Sequence, residues 1–192
     1  MFDSIYLRLQ HIHRFSNQNL TIVDTDADHT IRMQLMILEL YRKAPYFDLQ
    51  KATFKALVHD LDEVCMCDVP RNIKYYDDKI HAEVERVAQE LMNESGINEE
   101  MRGYIRDSKD DTTEGWIVKL LDPVDAFKVL VDQAWTQNSK SIFEQAEISL
   151  GHISYIFKNL PDYIDKNLIS ALAGTLEECK RRLQHVREKA FF

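Results

Sequence analysis

Along most of the chain, apolar residues return every three to four positions, the spacing that lines up one side of an α-helix. Residues 4–13 read as a first helix, followed by the polar loop RFSNQNLTIVDTDAD. A second helix is predicted over 28–43, where Ile31, Met33, Leu35, Met36, Ile37, Leu38, Leu40 and Tyr41 leave almost no polar side. A helix that is apolar all round is expected at the centre of a fold. Pro45 breaks the pattern, and Asp48 is placed to cap a third helix carrying Phe54, Leu57 and Val58. Asp68-Val69-Pro70 interrupts again, a long charged helix is predicted over 72–93, and Ser95-Gly96 ends it.

A short helix over 99–107 leads to the polar cap DDTTE, which opens an apolar run over 116–131 interrupted by Pro123. Two amphipathic helices fill the remainder, one over 142–157 and one beginning at Pro161, a residue suited to a first helical turn. With Gly 5 and Pro 4 the chain lacks the turns that a sandwich or barrel needs. The expectation is an all-α fold in a single domain.

Composition narrows the function classes. A length of 192 residues suits one domain, and 45% hydrophobic with 29% charged residues describes a globular chain rather than a disordered one. The net charge of -8 argues against duplex nucleic acid or an anionic membrane as partner, since both call for a basic face. A small anionic ligand stays compatible, because a metal and a few cations reverse the sign locally. Three cysteines point to a reducing compartment, and Asp3 and Arg8 interrupt any signal-peptide pattern. The longest apolar stretch, MQLMILEL, is far too short to span a bilayer. A soluble cytoplasmic protein is expected.

Chemistry concentrates in LVHDLDEVCMCDVPRNIK. His59 and Asp60 are adjacent at the end of an apolar helix, and Asp62, Glu63 and Asp68 follow closely. So many carboxylates are costly to bury without a pairing partner or a metal. Imidazole with carboxylate suits Mn, Co, Fe, Ni or Zn better than Ca. By itself the pair equally describes a capping Asp beside a packed His.

More ligands must come from elsewhere. His29 opens the second helix behind Asp24, Asp26 and Asp28, as a ligand or as a turn residue in an acidic loop. Asp122 lies within GWIVKLLDPVDAF, as a ligand or as half of an Asp-Pro turn, and Asp125 competes for the same role. Cys65-Met66-Cys67 has no second cysteine pair and reads as small apolar residues rather than a zinc site.

The order His29, His59-Asp60, Asp122 resembles the HD-domain phosphohydrolases, and in particular their compact bacterial 5′-deoxynucleotidase subfamily and its small viral relatives. Asp28-His29-Thr30, the block HDLDEVCMCDVPRNIK and the stretch IVKLLD carry the resemblance. It implies an all-α helical bundle with the site between central helices, a core over about residues 5–135 and C-terminal helices over about 138–190. It implies one divalent ion (Co, Mn, Zn or Fe) on His29, His59, Asp60 and Asp122, with Mg at a second site for a triphosphate substrate. Glu63 would orient or deprotonate the attacking water, and Asp68 would meet the sugar side of the leaving group and donate a proton. Arg14 would bind phosphate, Phe15 would pack near sugar and base, and Lys74 would hold outer phosphates.

The implied substrate is a deoxyribonucleotide. One activity is hydrolysis of a dNMP to deoxynucleoside and phosphate. The alternatives are a dNTP triphosphohydrolase, dATP-specific in the viral relatives, and a nucleotide-binding regulator without turnover. Glu63 and Asp68 speak against the last. A homodimer or higher homo-oligomer is also implied. Two positions depart from the family pattern: Pro123 follows the last ligand, and Phe15 stands where Trp is common.

Overall fold

A computed structural model describes residues 8–16, 18–67, 69–74 and 76–190. Among the described residues the helices from Asp26 onward are, in chain order, α1 (Asp26–Lys43), α2 (Leu49–Val58), α3 (Glu63–Met66), α4 (Arg71–Lys74), α5 (Asp78–Glu94), α6 (Glu99–Arg106), α7 (Thr113–Gln137), α8 (Lys140–Lys158) and α9 (Lys166–Ala190). Among the described residues there is no strand, only an antiparallel bridge between His13 and Thr25. The all-α expectation holds, and the caps show why the helices start where they do. The Thr25, Asp48, Asp77, Asn98, Thr112 and Ser139 side chains each accept a backbone N–H from the first turn of the helix they precede.

The central helix is α7, which packs against α1, α2, α8 and α9. It buries Ile117, Val118, Leu120, Leu121, Val124 and Phe127 in the main core. Helix α1 is therefore not the fully enclosed element its composition predicts. Met33, Ile37 and Leu40 are buried, but Ile31, Leu35 and Leu38 are about half exposed or more, at 61%, 60% and 48%. Neighbouring helices cover only one side of α1, and apolar composition cannot report which sides are covered.

Other boundaries also differ from the sequence reading. The predicted helix over 72–93 is two helices, because Asp77 accepts the Ile80 N–H and starts α5 afresh. The last helix begins at Lys166 rather than Pro161. Asp165 accepts the N–H groups of Asn167 and Leu168, while Pro161 sits in the preceding turn. Of the helix predicted over 4–13, residues 1–7 lie outside the described residues. Residues 8 and 9 are helical, and the chain then turns.

Pro123 does not end α7, which runs on to Gln137. Its ring leaves the carbonyl of residue 119 without the usual helical partner, and its own carbonyl accepts the Ser149 hydroxyl at 3.0 Å, tying α7 to α8. A second close contact sits at the start of α7. A Cβ added to Gly115 would lie 2.3 Å from the Asp110 carbonyl oxygen, whereas one added to Gly151 in α8 would meet nothing within 4 Å.

These two glycines give opposite outcomes. Gly115→Ala is expected to lower the unfolding free energy by at least about 2 kcal/mol through overpacking. Gly151→Ala is expected to raise it by about 0.5–1 kcal/mol through helix propensity. Urea unfolding of both variants checks the contrast.

Candidate metal centre

Three helices deliver the site. His29 stands in the first turn of α1, His59 caps the C-terminus of α2 with Asp60 next to it, and Asp122 projects from α7. One donor atom from each of these four residues lies within 4.8 Å of all the others. His29 and His59 are buried, and Asp60 and Asp122 are half-buried.

Hydrogen bonding decides which imidazole nitrogens are bare. His29 Nδ1 is 2.8 Å from Asp125 Oδ2, and His59 Nδ1 is 2.8 Å from the Ala56 carbonyl. Both partners only accept, so both Nδ1 atoms carry the proton. The two Nε2 atoms, not committed to those partners, face each other at 3.0 Å. Asp60 Oδ2 lies 3.0 Å from His59 Nε2 and 3.5 Å from His29 Nε2, and Asp122 Oδ1 lies 3.5 Å from His29 Nε2. Four donors converging in a desolvated space could hold a cation among them, and two imidazoles with two carboxylates suit a divalent transition ion.

Burial, with Arg14 next, pushes the His29 pKa below its ordinary value, so the ring is a neutral donor at neutral pH. Burial opposes the charge on Asp60, but His59 and Lys109 outweigh it and hold that carboxyl well below the carboxylate range. Asp122 is lowered as well: Lys109 outweighs burial. Asp62 moves the other way, raised by burial and by the Asp60 charge.

Asp125, the competitor of Asp122, stands behind the centre. It is 1% exposed and accepts from His29 Nδ1, from Arg32 Nε and Nη2 at 2.7 and 2.8 Å, and from Arg14 Nη1 at 3.3 Å. Burial disfavours its charge, yet the His29 and Arg32 hydrogen bonds prevail and pull its pKa down to about 2. Asp24 holds the far side of Arg32 at 2.8 and 3.0 Å. A carboxylate on the remote nitrogen of a ligand histidine fixes its tautomer and raises its basicity.

With this geometry in hand, comparison with known proteins is informative. The family described as 5′-deoxynucleotidase YfbR-like matches residues 1–163. The chain belongs to that family. It is 24% identical over 189 residues to the 5′-deoxynucleotidase plu3092 of Photorhabdus laumondii, covering 93% of this chain and 95% of that protein. Its fold is shared with the PH0347 protein of Pyrococcus horikoshii (TM-score 0.72, 18% identity, 95% of this chain and 99% of the other). An HD-domain phosphohydrolase of Listeria innocua shares it too (TM-score 0.65, 18% identity, 94% and 97%). This member of the YfbR-like family is a hydrolase with the HD-domain fold.

The remaining sequence-derived candidates gather on one cavity of about 1040 Å³, lined by His59, Asp60, Glu63, Lys74, Arg14 and Phe15 among others. Arg14 is fixed by backbone pairing, its N–H donating to the Asp24 carbonyl beside the His13–Thr25 bridge. Its Nη2 lies 3.7 Å from Asp122 Oδ1, and its guanidinium lies 5.4 Å from the Phe15 ring centroid. Phe15 adopts φ 56°, a left-handed conformation that is costly for a bulky side chain. Strain of this kind persists only where surrounding contacts enforce it. Lys74 pairs with Glu85 at 2.8 Å. Asp68 lies outside the described residues.

Sequence reasoning missed Lys109, Arg32 and the supporting part played by Asp24 and Asp125. Asp125 carried a signal, being three residues from Asp122 on the same helix, where two carboxylates share a side. Lys109 carried none, since one lysine in a polar turn looks like any other.

In metal-free protein, Asp125→Asn is expected to cost about 3 kcal/mol at neutral pH by breaking a buried charged network. A depressed folded pKa means that the stabilisation is full above the unfolded value of about 3.9 and fades as pH falls towards 2. Unfolding curves of both proteins from pH 7 to 2 should therefore converge at the acid end.

Proposed function

We propose that this protein hydrolyses the 5′-phosphomonoester of deoxyribonucleoside monophosphates, with His29, His59, Asp60 and Asp122 holding one divalent metal ion. The observation that carries the reading is the pair of Nε2 atoms facing each other beside two carboxylates, in a chain of the YfbR-like 5′-deoxynucleotidase family. A divalent ion bound by these residues supplies a water of lowered pKa and Lewis acidity towards a phosphoryl oxygen.

The chain's own residues do the rest. Glu63, on the cavity wall one helical turn after His59, takes the proton of the attacking water. The Arg14 guanidinium meets the phosphate with paired N–H donors and opposes the charge that grows on phosphoryl oxygens as the ester bond breaks. Phe15 gives the sugar and base an apolar surface, and Lys74 extends the positive potential along the cavity. Asp68 hands a proton to the 5′-oxygen of the departing deoxynucleoside. Asp125 and Arg32 act at one remove, keeping His29 Nε2 free of a proton.

Each dNMP and dNTP, incubated with metal-stripped protein and then with Mn or Co, provides the test. The expected result is phosphate release from dNMPs that a chelator abolishes and added ion restores. Release of triphosphate from a dNTP would instead establish triphosphohydrolase chemistry on the same ligands, and no release from either class would overturn the reading. Glu63→Gln is expected to lower kcat by about 10²–10⁴-fold. Arg14→Ala should lower kcat/KM by about 10–100-fold, the worth of a charged hydrogen-bonded phosphate contact.

A further inference from the structure

Asp60 and Asp122 each present two differently used oxygens. Asp60 Oδ2 and Asp122 Oδ1 turn inward to the imidazoles. The outer pair, Asp60 Oδ1 and Asp122 Oδ2, turns to Lys109, whose Nζ lies 3.6 and 2.7 Å away. Two carboxylates with inner oxygens on one cation position and outer oxygens on another form the bridging pattern of a two-cation centre. Here the second position is filled by an ammonium group.

The placement of Lys109 is built rather than incidental. It stands in the turn between α6 and α7, and that turn is clamped on either side of it. The buried Lys55 ammonium donates to the Asp107 carbonyl and pairs with Asp110 at 2.8 Å. The Ser108 hydroxyl donates to the Ile105 carbonyl at 2.6 Å, and Asp110 accepts the Thr112 N–H and hydroxyl. Gly115 leaves room for the Asp110 backbone against α7. The ammonium group also borders the cavity that Asp62 and Glu63 line.

We propose that Lys109 is the chain's own second cation, holding the outer oxygens of Asp60 and Asp122 that a second divalent ion would bridge, so that the centre takes one metal ion per chain. The inference deepens the proposed metal centre and rests on it. At the outer oxygens the cation is a fixed charge. Unlike an ion, this charge does not dissociate, and it cannot be replaced by a competing metal.

Metal counting tests the inference independently of any substrate. Metal-stripped wild type, Lys109→Met and Lys109→Gln, each checked for helical content, are titrated with Mn²⁺ by calorimetry and assayed for bound metal after dialysis. Wild type is expected to bind one ion per chain. Removing a positive charge a few ångströms from the site should let both uncharged variants take a second ion, or bind the first at least about tenfold more tightly. Lys109→Arg should keep one ion with affinity within about threefold of wild type. A purely structural role predicts the opposite sign, with weaker binding once the turn loosens. Two ions on the wild type overturn the inference, as does an unchanged count at equal or weaker affinity in both uncharged variants. A wild type that binds no ion removes the metal-centre reading itself, and this inference with it.

Discussion

Two imidazole nitrogens facing each other at 3.0 Å are the constraint around which this molecule is arranged. Each is turned to the other because its ring partner is committed elsewhere, His29 Nδ1 to Asp125 and His59 Nδ1 to the Ala56 carbonyl. Burial of both rings removes the water that would otherwise separate them. The surrounding fold has to hold them together. It does so with two helix termini anchored by caps and by apolar packing on α7.

Helix α7 has a double duty. Asp122 and Asp125, three residues apart on it, serve opposite sides of His29: one faces Nε2 and the cavity, the other holds Nδ1 from behind. The Asp125 carboxylate is tolerable at 1% exposure because Arg32 meets it with two N–H groups and Asp24 balances Arg32 in turn. Asp122 remains at the cavity edge, where Lys109 and Arg14 approach it. The chain carries a net charge of -8, yet the cavity receives Arg14, Lys74 and Lys109 on its wall. Local arrangement, not overall charge, sets the potential there.

The same logic separates rigid from adjustable parts of the centre. His29 and Asp125 are enclosed and multiply bonded, whereas His59, Asp60, Asp122 and Lys109 border the cavity. The accessible groups thus stand on the rim, and the groups that set tautomer and orientation in the interior. Such a division suits hydrolysis, in which water and product must pass while the donor geometry stays fixed.

Periodicity and capping chemistry by themselves determined that this chain is helical and roughly where most helices begin, because those signals act between residues three or four apart. The order of His29, His59, Asp60 and Asp122 was legible for a related reason: a histidine or carboxylate inside an apolar stretch is conspicuous. Tertiary structure alone decided that α7 rather than α1 is enclosed, since coverage depends on neighbours distant in sequence. It alone assigned Asp122 to the cavity and Asp125 to the back of His29, a choice made by small differences in direction around one helix. It also brought Lys109 to the outer oxygens of Asp60 and Asp122. Through-space charge pairing between residues far apart in the chain leaves no periodic trace, and only the packed helices reveal it.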